Sequence, residues 1–329
     1  MQKPILVSGI QPSGRLHLGN YLGALKHFVE LQNSGRYECY FIIVDLHSLT
    51  EDFDPKKKKQ QILELAADFI AAGLDLKKST LFLQSAIPAH SELAWILTTL
   101  TPLGELYRMT QFKDKSAHQK QNVNAGLLTY PVLMVADIIL YGAKYVPVGE
   151  DQLQHLEFTR TLVRKFNSRF GKTFIEPHPL LTEAPRVMSL GDPTKKMSKS
   201  RPETCLFLDD SPVMIELKLR RAVTDSGAEV KFDREKKPAI SNLLTTYSSL
   251  SGEKIAHLER RYAGKPYSEF KMDLARIVIA HFANFRAKKK TLLATPSRIV
   301  SMLKKGSARA EKIAARKMNE VKKKVGIAI

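Results

Sequence analysis

The chain has 329 residues, 43% of them hydrophobic, and a formal net charge of +19 at pH 7. That length suggests two domains; no apolar run reaches the roughly 18 residues a membrane-spanning helix needs. Two cysteines, Cys39 and Cys205, stand far apart with no CxxC spacing, which argues against a disulfide framework, a zinc site or an iron–sulfur cluster.

The first residues, MQKPILVSGI, lack a charged region followed by a long apolar stretch and a small-residue cleavage site, so a cytoplasmic protein is expected. The positive charge is uneven. From Arg286 to Lys324 the only acids are Glu311 and Glu320. Such a field either attracts a polyanion or simply solvates a surface.

Residues 5–7 read as a short apolar strand entering a Gly/Pro/Ser loop, 8–14, followed by a helical pattern over 18–31. Residues 39–46, CYFIIVDL, form a continuous apolar run suited to a strand buried on both faces. A helix over 55–72 opens on Asp54-Pro55, stops at Gly73, and carries the lysine run 56–59 on its surface. Residues 79–84 are a third strand. This alternation predicts an α/β fold, a doubly wound parallel sheet whose ligands bind at the carboxyl ends of the strands.

Residues 127–141 read as a buried helix with Pro131 in its first turn. Residues 144–148 form a short strand that leads into Gly149-Glu150-Asp151-Gln152 and a further helix. After about residue 200 strand-like runs become rare and amphipathic helices take over. The expected organisation is a catalytic domain over 1–195, a mainly helical domain over 202–305, and a basic C-terminal helix over 306–329, starting near Ser307 after Gly306.

Two loops carry the chemistry. GIQPSGRLHLGNYLGAL, residues 9–25, is glycine-rich without being a Walker loop, since Arg15-Leu16 replaces the Lys-Ser/Thr pair. Its glycines allow close backbone approach to a base or phosphate, His17 can donate to phosphate oxygens, and the following helix offers amides to anions. The same string also suits a tight strand-to-helix turn with an incidental histidine. KKMSKS, residues 195–200, lies between Asp192-Pro193 and Arg201-Pro202, so it is expected as a surface loop. Its lysines can surround a triphosphate and stabilise a departing pyrophosphate.

Together the two loops resemble the histidine-glycine and lysine loops of class I aminoacyl-tRNA synthetases, with His17-Leu18-Gly19-Asn20 in place of the more usual H-I-G-H. Further segments are similar to bacterial-type tryptophanyl-tRNA synthetases over nearly the whole chain: VDLH at 44–47, GELYRMTQFKDKS at 104–116, VPVGEDQ at 146–152, AVTDS at 222–226 and ISNLL at 240–244. The resemblance implies a Rossmann-type catalytic domain, a helical anticodon-binding domain and a homodimer. It implies that L-tryptophan is activated by ATP and transferred to tRNA(Trp).

By the same resemblance, His17, Asn20, Lys196, Lys199 and Lys115 act in catalysis. Gln11, Pro12, Ser13, Gly19, Asn20, Gly149, Glu150, Asp151, Val187, Lys196, Met197, Ser198, Lys199, Ser200 and Lys113 contact ATP. Asp137 accepts the indole N–H; Tyr130, Met134, Gln152, His47 and Val7 complete the amino-acid pocket. Mg²⁺ rides on the ATP phosphates, with no dedicated protein cage. Asp137, Met134 and Tyr130 share one helical face, which equally suits a core aspartate satisfied by another group. Val135 and Arg201 depart from the residues common in the family. The rival readings are a tyrosyl enzyme, a cofactor nucleotidylyltransferase and a non-catalytic RNA-binding paralogue.

Overall fold

The computed structural model describes residues 3–118, 123–181, 185–227 and 229–328. Five strands, β1 (Ile5–Ile10), β2 (Glu38–Ile43), β3 (Ser79–Leu83), β4 (Tyr145–Val148) and β5 (His178–Leu181), form one parallel sheet in the order β3-β2-β1-β4-β5. The helices are α1 (Leu18–Asn20), α2 (Lys26–Asn33), α3 (Pro55–Ala71), α4 (Ala89–Thr98), α5 (Leu103–Tyr107), α6 (Thr110–His118), α7 (Ala125–Ile139) and α8 (Leu153–Phe170). Then follow α9 (Pro212–Arg221), α10 (Pro238–Ser251), α11 (Ile255–Arg261), α12 (Tyr267–His281), α13 (Ala283–Leu293) and α14 (Pro296–Val325).

The chain divides into two compact units. The first comprises Met1–Gly14, Phe28–Thr182 and Leu292–Ile329, and holds the sheet. Its strand order reverses between β1 and β4, so the loops after these two neighbouring strands flank a topological switch point, where open α/β sheets bind ligands. Those loops carry Gln11–Ser13 and Gly149–Asp151. The expected doubly wound sheet is therefore present, with β5 as a strand that the sequence pattern does not mark. On one part of the sheet Phe28, Phe41 and Phe69 stack, with Phe28 and Phe41 centroids 4.8 Å apart. A second cluster joins Val7, Tyr40, Phe82, Tyr141 and the inner face of α7.

Two expectations need correction here. Pro131 is not in the first turn of α7: Asn124 caps the helix by accepting the Leu127 N–H (2.9 Å), which starts it at Ala125 and leaves the proline in its interior. The last helix begins at Pro296, not near Ser307, and Gly306 lies buried inside it. Glycine is needed there for contact rather than for a break, since any Cβ at Gly306 would overlap the Leu81 carbonyl oxygen of β3. Ser307 Oγ accepts the Leu83 N–H (3.4 Å), and Ala310, Ala314, Met318 and Val321 join the core. Thus α14 belongs to the sheet unit and covers the backbone edge of β3.

The second unit comprises Arg15–His27 and Glu183–Thr291. It is helical: α12 packs against α9 and α10, and α11 against α10. Tyr247, Tyr262 and Phe270 form its aromatic centre, with Tyr262 and Phe270 edge to face at 5.1 Å. Both cysteines are buried and free.

Candidate active site

In the second unit the two sequence loops meet. Leu18 N–H donates to the Leu206 carbonyl (2.9 Å) and Leu208 N–H to the Leu16 carbonyl (3.0 Å), pinning the histidine loop onto the segment after the lysine loop. Arg15 reinforces the seam. Its guanidinium bonds Asp209 and, at 2.8 Å, Asp210, while Lys289 reaches Asp209 (2.8 Å) and Lys218 reaches Asp210 (2.6 Å). Asp210 and both lysines are almost fully buried, where ion pairs are held only by complete hydrogen bonding. Lys218 also donates to the Cys205 carbonyl (2.7 Å).

His17 and Asn20 form a reciprocal cap at the start of α1. The Asn20 N–H donates to His17 Nδ1 (3.3 Å), and the His17 N–H donates to Asn20 Oδ1 (3.1 Å). With Nδ1 accepting, the neutral ring carries its proton on Nε2. Burial first, and then the charges of Lys199 and Lys196, push the His17 pKa down to about 4. The ring is therefore a neutral N–H donor at pH 7, within electrostatic reach of both loop lysines. A Cβ at Gly19 would press on the His17 ring at 3.0 Å, so glycine there keeps the ring in place. Residues Tyr21–Leu25 continue as one π-helical turn, a form common at functional sites.

The lysine loop is a surface loop, as expected. It folds back on itself: Met197 N–H donates to the Val187 carbonyl (3.1 Å) and Ser189 N–H to the Lys195 carbonyl (2.8 Å). Met197 is buried as the loop's anchor, while Lys196, Ser198 and Ser200 are exposed. Lys195 pairs with Asp192 (3.0 Å), whose carboxyl falls to about 2 through bonds from the Thr194 hydroxyl and from Lys195. Hence the loop presents cations and hydroxyls without a carboxylate, and its own side chains do not suit Mg²⁺, which prefers oxygen ligands of carboxylate and phosphate type.

In the first unit the residues expected to form the amino-acid pocket lie on and around α7. Asp137 is buried, and three donors meet its carboxylate. Gln84 Nε2 straddles both oxygens at 2.7 and 2.9 Å, His47 Nε2 reaches Oδ2 at 2.7 Å, and His90 Nδ1 reaches Oδ1 at 2.6 Å. Burial alone would raise its pKa, but the charge interaction and hydrogen bond with His47, and then those with His90, hold it well below the usual carboxylate range. Leu46 N–H donates to Gln84 Oε1 (3.1 Å), which fixes which end of that amide faces Asp137.

The His47 ring lies edge-on to Tyr130, 6.1 Å between centroids. Tyr130 Oη donates to Gln111 Oε1 (3.2 Å) and lies 3.0 Å from His155 Nε2. Val7 belongs to the adjoining core and Met134 packs against it. Gln152 donates to Asp151 Oδ2 (2.7 Å), in a turn so tight that a Cβ at Gly149 would meet Asp151 Oδ1 at 2.8 Å. Lys113 is exposed on α6, and the side chain of Lys115 lies outside the described residues. Val135 is wholly buried in the core of α7, and Arg201 is exposed next to the lysine loop. Gln84, His90, Gln111 and Tyr141, all polar neighbours of the pocket residues, carry no sequence signal of that role; only the fold brings them there.

The chain matches the family described as tRNA synthetases class I (W and Y) over residues 1–283. It is 49% identical over 323 residues to the tryptophan–tRNA ligase of Caldanaerobacter subterraneus subsp. tengcongensis, covering 97% of each chain. It is 48% identical to that of Bacillus anthracis, covering 98% of each. Among solved structures, tryptophanyl-tRNA synthetase from Mycoplasma pneumoniae superposes with a TM-score of 0.88 at 35% identity, covering 99% of both chains. The Campylobacter jejuni enzyme complexed with ADP and tryptophan gives 0.85 at 36%, covering 98% of this chain and 99% of that one. Tyrosyl-tRNA synthetase from Aeropyrum pernix, at 19% identity, shares the fold alone. With both loops intact and the match running the length of the chain, this protein belongs to the class I tRNA synthetases for tryptophan and tyrosine, in their bacterial tryptophanyl branch.

Proposed function

We propose that the chain activates L-tryptophan with ATP and passes it to the 3′ end of tRNA(Trp). The observation that carries this is the joining of His17, Lys196 and Lys199 in one electrostatic cluster, in a chain close along its whole length to tryptophan–tRNA ligases. A tryptophan carboxylate oxygen attacks the α-phosphorus of ATP, the bond to the bridging oxygen breaks, and pyrophosphate leaves with the electron pair. A ribose hydroxyl of the tRNA terminus then attacks the adenylate carbonyl and AMP departs. Lys196 and Lys199 offset the charge that builds on pyrophosphate, and the neutral His17 N–H donates to a phosphate oxygen. Lys113 and Lys115 assist with the phosphates. Gln11–Ser13, Gly19, Asn20, Gly149–Asp151, Val187 and Met197–Ser200 hold the nucleotide. Mg²⁺, carried on the phosphates, comes with the substrate.

Asp137 accepts the indole N–H, and Tyr130, Met134, His47, Gln152 and Val7 frame the ring. Asp137 keeps its Gln84, His47 and His90 bonds when a ligand lacks the N–H, so the indole bond supports selection by roughly 10–100-fold, on top of about 10–200-fold from shape. ATP–pyrophosphate exchange across the amino acids tests the function, with tryptophan expected to stand alone; a preference for tyrosine overturns it.

The working form is a cytoplasmic homodimer. Supporting the dimer, Trp95, Leu103 and Tyr107 on α4 and α5 are 72%, 64% and 54% exposed. Among the described residues no helix is long and apolar enough to cross a membrane. Analytical ultracentrifugation at micromolar protein that found only a 37.1 kDa species would refute the dimer.

A further inference from the structure

We infer that His90 is a positioning residue for tryptophan selection, acting through Asp137 rather than on the substrate. This rests on the proposed role of Asp137 as indole acceptor. His90 sits in the first turn of α4 and is fully buried. Its two ring nitrogens are both engaged: Nδ1 lies 2.6 Å from Asp137 Oδ1, and Nε2 lies 2.7 Å from Tyr141 Oη. Burial first, and then the Asp137 charge, keep the Tyr141 phenol protonated, so it has a proton to donate to Nε2. An ionised carboxylate can only accept, so a ring proton sits on Nδ1, facing Asp137, and in the neutral ring Nε2 accepts from Tyr141 Oη. The tautomer is supported from behind by Tyr141, and Asp137 receives a fixed N–H.

The three donors divide their labour by position. Gln84 and His90 are entirely buried, and His90 packs against Phe82 and Tyr141 in the core. His47 lies on the pocket side, beside Tyr130. An ionised carboxylate has about four acceptor positions. The Gln84 amide and the His90 N–H occupy inner ones and fix the plane of the carboxylate from the core side. That leaves one position, on Oδ2, which His47 fills at 2.7 Å and which an indole N–H would have to share or take over. Without His90, Oδ1 keeps only Gln84, the carboxylate can turn about its last bond, and its buried charge loses a donor. A carboxylate that turns or takes up a proton is a poorer acceptor for an indole N–H, while a ligand that has no N–H loses nothing by the change.

The test uses tryptophan and 3-(3-benzothienyl)alanine, a near-isosteric analogue with sulfur in place of the indole N–H. Relative kcat/KM for the two is measured by ATP–pyrophosphate exchange in the full chain. In wild type, tryptophan is expected to exceed the analogue by roughly 10–100-fold, the range for a hydrogen bond to a charged group. His90→Leu should raise the KM for tryptophan and narrow that ratio by about tenfold, leaving the KM for ATP unchanged. His90→Asn, which places an amide N–H near the Nδ1 position, should restore most of the ratio. Equal losses on both amino acids in His90→Leu mean that His90 only fills space, and overturn the inference. A wild type that fails to discriminate sinks the Asp137 reading itself, and the His90 role falls with it. If His90→Leu does not fold, Tyr141→Phe decides: it keeps the ring and removes only the hydroxyl that supports the tautomer. A narrowed ratio in that variant supports the inference, and an unchanged ratio overturns it.

Discussion

The depressed pKa of His17 makes the stability of the second unit depend on pH in a defined window. In the unfolded chain the ring titrates near 6.5; folded, it titrates at about 4. Between those values the unfolded state binds more protons, so stability is fully present above pH 6.5 and is lost as pH falls toward 4. For one such group the loss between pH 7 and pH 5 amounts to about 2 kcal/mol. Other groups titrate in the same window, so a control is needed that keeps the fold. His17→Asn serves, because asparagine is a good N-cap and can still accept the Asn20 N–H. The difference in unfolding free energy between wild type and His17→Asn, from urea melts across pH 5–7, should shrink at low pH by that amount. Removing one of the nearby cations, by Lys199→Ala, should raise the His17 pKa, read from its imidazole NMR shifts. A stability difference flat with pH, or a His17 titration near 6.5, would refute the electrostatic account of the loop cluster.

Lys199→Ala should also slow ATP–pyrophosphate exchange by about 10²–10³ while leaving the KM for tryptophan near normal, since its target charge develops as pyrophosphate leaves; near-normal exchange would remove it from the mechanism. Gly306→Ala should destabilise the sheet unit by about 1–3 kcal/mol, because the added methyl meets the Leu81 backbone rather than a flexible side chain; an unshifted urea midpoint would show that α14 slides without cost. The exposed face of α14 carries Lys304, Lys305, Arg309, Lys312 and Arg316, and tRNA binding is expected to weaken with salt. Each phosphate these residues neutralise should add about −0.7 to −0.9 to the log–log slope. Reversing Lys305, Arg309 and Arg316 to glutamate should flatten that slope, and an unchanged slope would free α14 of the role. Truncation at Gly306 would not isolate charge, since it strips the packing that α14 gives β3.

The histidine and lysine loops are legible in the amino-acid sequence because each is contiguous, with its glycines, histidine or lysines in one short run. β1 shows an apolar run only over residues 5–7, whereas β2 and β3 are legible because both-face burial writes itself as a near-continuous apolar run. β5 is not, because His178-Pro179-Leu180-Leu181 is a short edge segment with a proline and two half-exposed positions. Gly306 misleads, because glycine in a helix that must touch a strand's backbone looks the same in sequence as glycine that ends a helix. Of the polar shell of Asp137 only His47 is marked in the sequence, and that by resemblance rather than by any local pattern. Gln84, His90 and His47 come from two loops and a helix start that are neighbours only once β2, β3 and α7 are in place, and nothing local distinguishes a histidine that will face a carboxylate. The carboxylate itself stands out on α7, but whether it meets a ligand or a core donor is a matter of tertiary contact.

The lateral cover that α14 gives β3 sets an order of events during synthesis. β3 is among the first strands to emerge, whereas the helix that seals its open edge follows only after the whole second unit has been made. At about 5–20 residues per second the strand waits roughly 10–45 s with its outer amides and carbonyls unpartnered. Over that interval the nascent sheet is a template for any extended segment nearby, including the same strand on a neighbouring chain. The final helix thus acts as an assembly checkpoint: until it docks, through a glycine too close to β3 to admit any other side chain, the sheet is built but not sealed.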